Sequence, residues 1–162
     1  MIEIRSARAE DADALVEVYE AAWNAALAPA VGRELAELIP RDRVKDAFLD
    51  ALTKTGDTAR ILVADFGDGV VGLAVVVALD DTTGELTHLY VHPDRWSRGI
   101  GMALHASGLR EFQKMGVTAL TLWVAEGNQR ARRFYERAGW LLDDELRQSP
   151  LGPSEVRYTK SI

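Results

Sequence analysis

Apolar and polar residues alternate in steps of two along some stretches of the chain and recur in steps of three and four along others, and each change of step marks an element. Ile2-Glu3-Ile4-Arg5 alternates as a short strand does. The acidic run Glu10, Asp11 and Asp13 suits the positive end of a helix dipole, and Leu15, Val18, Tyr19, Ala22 and Ala26 then fall on one helical face. Pro29 and Gly32 interrupt that pattern. Pro40 opens a new segment, in which Val44, Phe48, Ala51 and Leu52 predict a second amphipathic helix. From Arg60 the chain becomes β-branched and apolar, so Ile61 to Phe66 and Val70 to Leu79 predict two antiparallel strands around a Gly67-Asp68-Gly69 hairpin turn. After a turn at Asp80 to Gly84, Glu85 to Val91 predicts a strand that stops at His92-Pro93. A glycine-containing turn follows, then a helix to about Met115 with Leu104, Gly108, Phe112 and Met115 on a common face. Val117 to Val124 reads as a strand and Asn128 to Ala138 as a helix ended by Gly139. Leu141 to Arg147 and Glu155 to Ser161 read as two last strands, joined by a loop with Pro150, Gly152 and Pro153.

That order, strand, two helices, three strands, helix, strand, helix, two strands, predicts an α/β (α+β) fold with a mixed sheet and helices on both faces. With 162 residues, 48% of them apolar, and no internal repeat, one domain over residues 1–162 is expected. The longest apolar stretch, Val70 to Leu79, has the length of a buried strand and is too short for a membrane span. The start Met1-Ile2-Glu3-Ile4-Arg5 lacks the basic and apolar blocks of a secretory signal, so a cytoplasmic location is the expectation. The absence of cysteine excludes disulfides, cysteine-ligated zinc and a thiol nucleophile. A formal charge of −6 argues against a general nucleic-acid binder and fits a cationic or neutral small partner better.

The richest chemistry lies where the strand ending at Val91 gives way to a helix, in Trp96-Ser97-Arg98-Gly99-Ile100-Gly101-Met102. The first N–H groups of a helix have no internal partners and carry the positive end of its dipole, so they bind anions. Gly99 and Gly101 let an anion reach that backbone without a Cβ in the way, and Arg98 adds charge beside it. A pyrophosphate fits this arrangement. A dinucleotide fold would need a third glycine where Leu104 stands, and a P-loop would need Gly-Lys-Ser/Thr, which is missing. Taken alone, the turn could equally be a tight bend that needs glycine.

The run Glu85 to Pro93, the Arg98-Gly99-Ile100-Gly101 turn, and Asn128-x-x-Ala131-x-x-Phe134-Tyr135-Glu136-Arg137-x-Gly139-Trp140 resemble, in order and spacing, the GNAT superfamily of N-acetyltransferases. The resemblance is specific between Glu85 and Trp140 and looser before Thr58. Trp96 departs from it, standing where the family usually has Gln or Arg. The resemblance implies a mostly antiparallel sheet of about seven strands flanked by about four helices, with two strands splayed to hold coenzyme A. It implies that acetyl-CoA is the co-substrate, held by backbone at Leu89, Tyr90 and Val91, by the turn from Trp96 through Ser97, Arg98, Gly99, Ile100 and Gly101 to Met102, and by Asn128. Backbone N–H groups near Leu89 to Val91 would stabilise the oxyanion. No metal is required. By the same resemblance Tyr135 protonates the leaving thiolate, and pairing of two chains is common.

An amine acceptor has a pKa of roughly 10 and needs a base. Glu85, six residues before Val91, stands where several family members carry theirs. Otherwise it is a solvated strand-start residue. His88 is a rival by its pKa, but simple alternation puts it opposite the face of Glu85, Thr87 and Leu89. Tyr135 could equally be a core aromatic. Arg130, Arg132, Arg133 and Arg137 could approach the adenosine 3′-phosphate, with Arg133 the chosen contact, or form a solvated helix face. The resemblance also makes Trp23, Asn24 and the Pro29 to Leu38 loop candidates for lining the acceptor pocket, although Trp23 could equally be a core residue. The function expected is acetyl transfer from acetyl-CoA to a primary amine by direct attack in a ternary complex. The alternatives are a non-catalytic acyl-CoA sensor and an enzyme acting on protein N-termini or lysines.

Overall fold

The β-branched middle of the chain, with a turn at each end, folds as a meander. In the computed structural model, which describes Met1–Ile162, β1 (Glu3–Ser6), β2 (Ala59–Asp65), β3 (Val70–Ala78) and β4 (Thr83–Val91) lie side by side and antiparallel. β5 (Ala119–Ala125) joins β4 in parallel, and it pairs antiparallel with β7 (Ser154–Ser161), which pairs with β6 (Leu141–Gln148). The seven-stranded sheet has the order β1-β2-β3-β4-β5-β7-β6, and β4/β5 is its one parallel pair.

That parallel pair is short. Residue pairs run only from Thr83↔Ala119 to Glu85↔Thr121, and beyond them the two strands part. Leu86 to Val91 therefore have β3 on one side and an open edge on the other. Gly84 fixes the closed end: a Cβ there would lie 2.6 Å from Phe112 Cε1, so only glycine lets β4 approach the helix beneath it.

On one face lie α1 (Ala12–Val31) and α3 (Arg41–Thr53), whose Leu15, Val16, Val18 and Phe48 bury against Val63 and Leu73. On the other lies α4 (Ile100–Met115), whose Ile100, Leu104 and Phe112 pack on Leu62, Ala64, Val76 and Leu86. The short α5 (Gln129–Arg137) extends that second layer towards β6, with Tyr135 in the same core as Trp140 and Tyr158. No helix is long and apolar enough to cross a membrane.

Two features differ from the sequence expectation. α1 runs through Pro29 and stops at Gly32, whose φ of 80° ends it. Pro29 lies in the last turn, where its missing N–H costs the helix only one bond. The following segment is not all loop, because α2 (Leu35–Leu38) forms one turn, with Glu34 N–H donating to Glu37 Oε1 at 3.1 Å and Leu35 buried, which makes five helices.

The second difference is a β-bulge. Val76 faces Leu86 and Val75 faces His88, so Thr87 is an extra residue in β4. Alternation resets there. Glu85 shares its face with Val77 and Val75, and so does His88, which packs with Tyr19, Phe48 and Tyr90 under α1 and α3. His88 and Glu85 are thus on one face of the sheet, contrary to the simple alternation.

Candidate active site

The chain leaves β4 through a single 3-10 turn, Pro93–Arg95, and reverses at Ser97 (φ 61°) and Gly99 (φ 80°) before α4 begins at Ile100. Gly99 holds the left-handed conformation that a residue with a Cβ adopts only with strain. No side chain caps α4, and the backbone N–H groups from Arg98 to Met102 donate to nothing in the protein. They form a row of free donors at the positive end of a 16-residue helix, an arrangement whose electrostatics favour an anion.

This row opens into a cavity of about 660 Å³ that follows the gap between the splayed halves of β4 and β5. Of the residues singled out in the sequence, Leu89, Tyr90, Val91, Trp96, Ser97, Gly99, Ile100, Gly101, Met102, Asn128 and Tyr135 lie on its wall. Arg98, Arg133 and Glu85 do not. Arg98 is exposed, and so is Arg133, on the outer side of α5. Glu85 is half-buried at the end where β4 and β5 still pair, before the cavity opens.

Gly101 is not needed for packing inside the protein, since a Cβ there would meet Phe134 Cε2 at 3.5 Å, an ordinary contact. Gly101 lines the cavity beside the free amides, so a methyl group there would narrow it. Trp96 has a side-chain role at the turn: its Nε1 donates to the Val91 carbonyl at 2.7 Å, tying the loop to the open end of β4. The Arg130 guanidinium stacks over the Trp96 ring at 3.8 Å and so joins the α5 wall of the cavity to the turn. Burial and the neighbouring Arg137 both lower the pKa of Arg130.

Across the cavity Asn128 caps α5, its side-chain oxygen accepting from Ala131 N–H at 3.2 Å, which leaves its amide NH₂ free. Two turns on, Tyr135 is 8% exposed and flanked by Phe134, Trp140 and Tyr158. Burial pushes its phenol pKa well up, so it holds its proton throughout the neutral range. Its hydroxyl makes no hydrogen bond inside the protein, and the residue faces the cavity. His88 is depressed to about 4 by burial among aromatic rings, and keeps little affinity for a proton at neutral pH.

Of the four arginines of α5, Arg130 and Arg137 reach the cavity wall, while Arg132 is structural. Its Nε donates to Tyr158 Oη at 3.0 Å and its other nitrogen to the Glu126 carbonyl at 2.8 Å. Trp23 is on the wall from α1, but Asn24 is occupied, accepting from Leu35 N–H at 2.7 Å. Sequence reasoning missed Thr87, Trp123 and Glu155, all of which line the cavity. Glu155 comes from β7, opposite Ala125 of β5, and only the sheet order brings it there.

Comparison with known proteins places this geometry. Residues 14–140 match the Acetyltransferase (GNAT) family. An uncharacterized N-acetyltransferase of Mycobacterium bovis is 32% identical over 135 residues, 82% of this chain and 85% of that protein. The spermidine N(1)-acetyltransferase of Thermoplasma acidophilum is 26% identical over 145 residues, 88% of this chain and 90% of that protein. Among solved structures, PaiA N-acetyltransferase from Thermoplasma acidophilum, in complex with coenzyme A, superimposes with a TM-score of 0.88 at 23% identity, covering 100% of this chain and 99% of that one.

Proposed function

The chain belongs to the Acetyltransferase (GNAT) family, an acetyl-CoA-dependent N-acetyltransferase, and on that premise we propose that it passes the acetyl group directly to a primary amine in a ternary complex. The observation that carries this reading is the row of free amides at the start of α4, opening into a cavity that continues between splayed strands to Tyr135. These residues suit a CoA ester: the amides of Arg98 to Met102 would take the diphosphate, and the open edge of β4 and the NH₂ of Asn128 would take the amide-bearing arm. Bound there, it supplies an activated acyl thioester. Relationship to a spermidine acetyltransferase supports a cationic amine as the acceptor.

Tyr135 is the proposed acid. Its unbonded hydroxyl on the cavity wall suits a group that gives its proton to a departing thiolate; burial keeps it protonated but makes the transfer more uphill, so the thiolate must form beside it. Glu85 is the proposed base, working through water because its carboxylate lies off the cavity wall. His88 is a poor base with its pKa near 4. The exposed leucines 141, 142 and 146 on the edge strand β6 support a homodimer, which light scattering would test. The reading also carries a cytoplasmic location, which fractionation would test.

The test is release of free thiol from acetyl-CoA in the presence of a panel of alkylamines, peptides and intact proteins. Amine-dependent release that saturates in both substrates is expected. Saturable CoA binding with no release on any acceptor would leave only a sensor.

A further inference from the structure

We propose that Glu155 receives the positive charge of the acceptor and thereby sets the preference for cationic amines, an inference that rests on the amine-acetyltransferase reading above.

Glu155 lies on β7 where the cavity passes to the α1 side of the sheet. That half of the sheet is bare: α1 and α3 cover β2 to β4, and α5 packs on the opposite face of β5, β7 and β6. An acceptor entering from this side meets Trp123, Tyr90 and the C-terminal half of α1. Glu155 is the one acidic residue on the cavity wall. Its side chain is 18% exposed, so its charge is incompletely hydrated and a cation there is held more strongly than at an open surface.

The carboxylate is half-satisfied. Arg147 Nε donates to Oε1 at 2.8 Å, and no protein group donates to Oε2. Arg147 is itself 47% exposed, and its guanidinium lies over the Trp123 ring at 4.4 Å. Arg147 thus acts as an internal surrogate: it shows that an alkyl-borne cation fits between this carboxylate and this ring. Arg147 is the exposed partner and can return to water, so an incoming ammonium can take the second oxygen or displace the arginine from the first. The other cation over the ring, Arg157 at 5.9 Å, does not compete, because both its Nε and a terminal nitrogen are bound to Asp143 at 3.1 and 2.7 Å.

The test is equilibrium binding of 1,4-diaminobutane to the full-length protein saturated with CoA, measured by calorimetry. Glu155→Gln keeps an oxygen for Arg147 and removes the charge, and it should raise Kd about tenfold, the effect of losing one charge-assisted hydrogen bond. Arg147→Met removes the competitor and should lower Kd severalfold, which a merely structural Glu155–Arg147 pair would not do. In turnover, Glu155→Gln should raise KM for an alkylamine while leaving KM unchanged for an arylamine, which is uncharged at neutral pH. A Kd indifferent to Glu155→Gln, or no binding of the diamine to the wild-type protein, overturns the inference. Binding that depends on Glu155 without acetylation of any amine would instead overturn the proposed reaction and leave this site standing.

Discussion

His105 of α4 sits behind the proposed acid, and it makes the fold sensitive to acid in a calculable way. Trp140 Nε1 donates to His105 Nε2 at 2.9 Å, inside an aromatic cluster with Phe134 and next to Tyr135. A nitrogen that accepts an indole N–H must be unprotonated; protonating it sets two donors against each other in a buried site. Burial and, to a smaller extent, Lys160 hold the imidazole at about 4, against about 6.5 when it is free. Between those values the unfolded chain takes up a proton that the folded chain refuses. The contribution of His105 to stability is therefore flat above pH ~6.5 and falls as pH drops towards 4. The full difference is about 3 kcal/mol, and about 2 kcal/mol of it is lost by pH ~4.5. For a domain of this size that lowers Tm by about 4–8 °C.

His105→Gln keeps an acceptor for Trp140 and removes the titration. Urea or thermal unfolding of both proteins at pH 7.0 and 4.5 isolates the effect, since Asp11, Asp80, Asp143 and His88 titrate in both and cancel in the comparison. The wild-type protein should lose about 2 kcal/mol more than His105→Gln across this interval. Equal losses in the two would refute the buried, neutral imidazole.

Further outcomes follow from the same geometry. Tyr135→Phe should cut kcat by about a hundredfold, in the range of one lost acid–base group, while CoA affinity measured by calorimetry stays near the wild-type value. Gly101→Ala should leave Tm nearly unchanged, because its methyl makes only ordinary contacts, with Phe134 at 3.5 Å and Val91 at 3.8 Å, yet raise the Kd for CoA about tenfold by narrowing the cavity beside the free amides. Gly84→Ala should show the reverse: a Cβ 2.6 Å from Phe112 Cε1 costs about 1–3 kcal/mol in urea unfolding, with little change in KM for acetyl-CoA.

Much of this architecture is legible in the sequence, for physical reasons. Strands β2, β3 and β4 are β-branched runs cut by Gly67-Asp68-Gly69 and by Asp80 to Gly84, so their existence and order follow from period and punctuation. The glycine turn is legible too, not from its glycines alone but from its place at a helix start between the Glu85 to Pro93 and Asn128 to Trp140 runs. The bulge at Thr87 has no such signature. It is set by how β4 must pair with β3 while leaving β5, and it moves His88 to the face of Glu85. Glu155 is hidden for a similar reason. It lies 64 residues beyond Val91 in the chain and reaches the cavity only because β7 inserts beside β5. Likewise, the charges of Arg98 and Arg133 suggest phosphate contacts, but neither lines the cavity, while Arg130 does, stacked on Trp96, a placement that charge alone does not reveal.

Backbone amide exchange at Ser97 to Met102, followed by NMR with and without CoA, addresses the anion site itself. In the free protein the N–H groups from Arg98 to Met102 have no acceptor and should exchange rapidly. Saturating CoA should slow them markedly and shift their resonances, with smaller changes along Leu89 to Val91. If CoA binds while these amides continue to exchange as before, the cofactor lies elsewhere and the assignment of this turn is wrong.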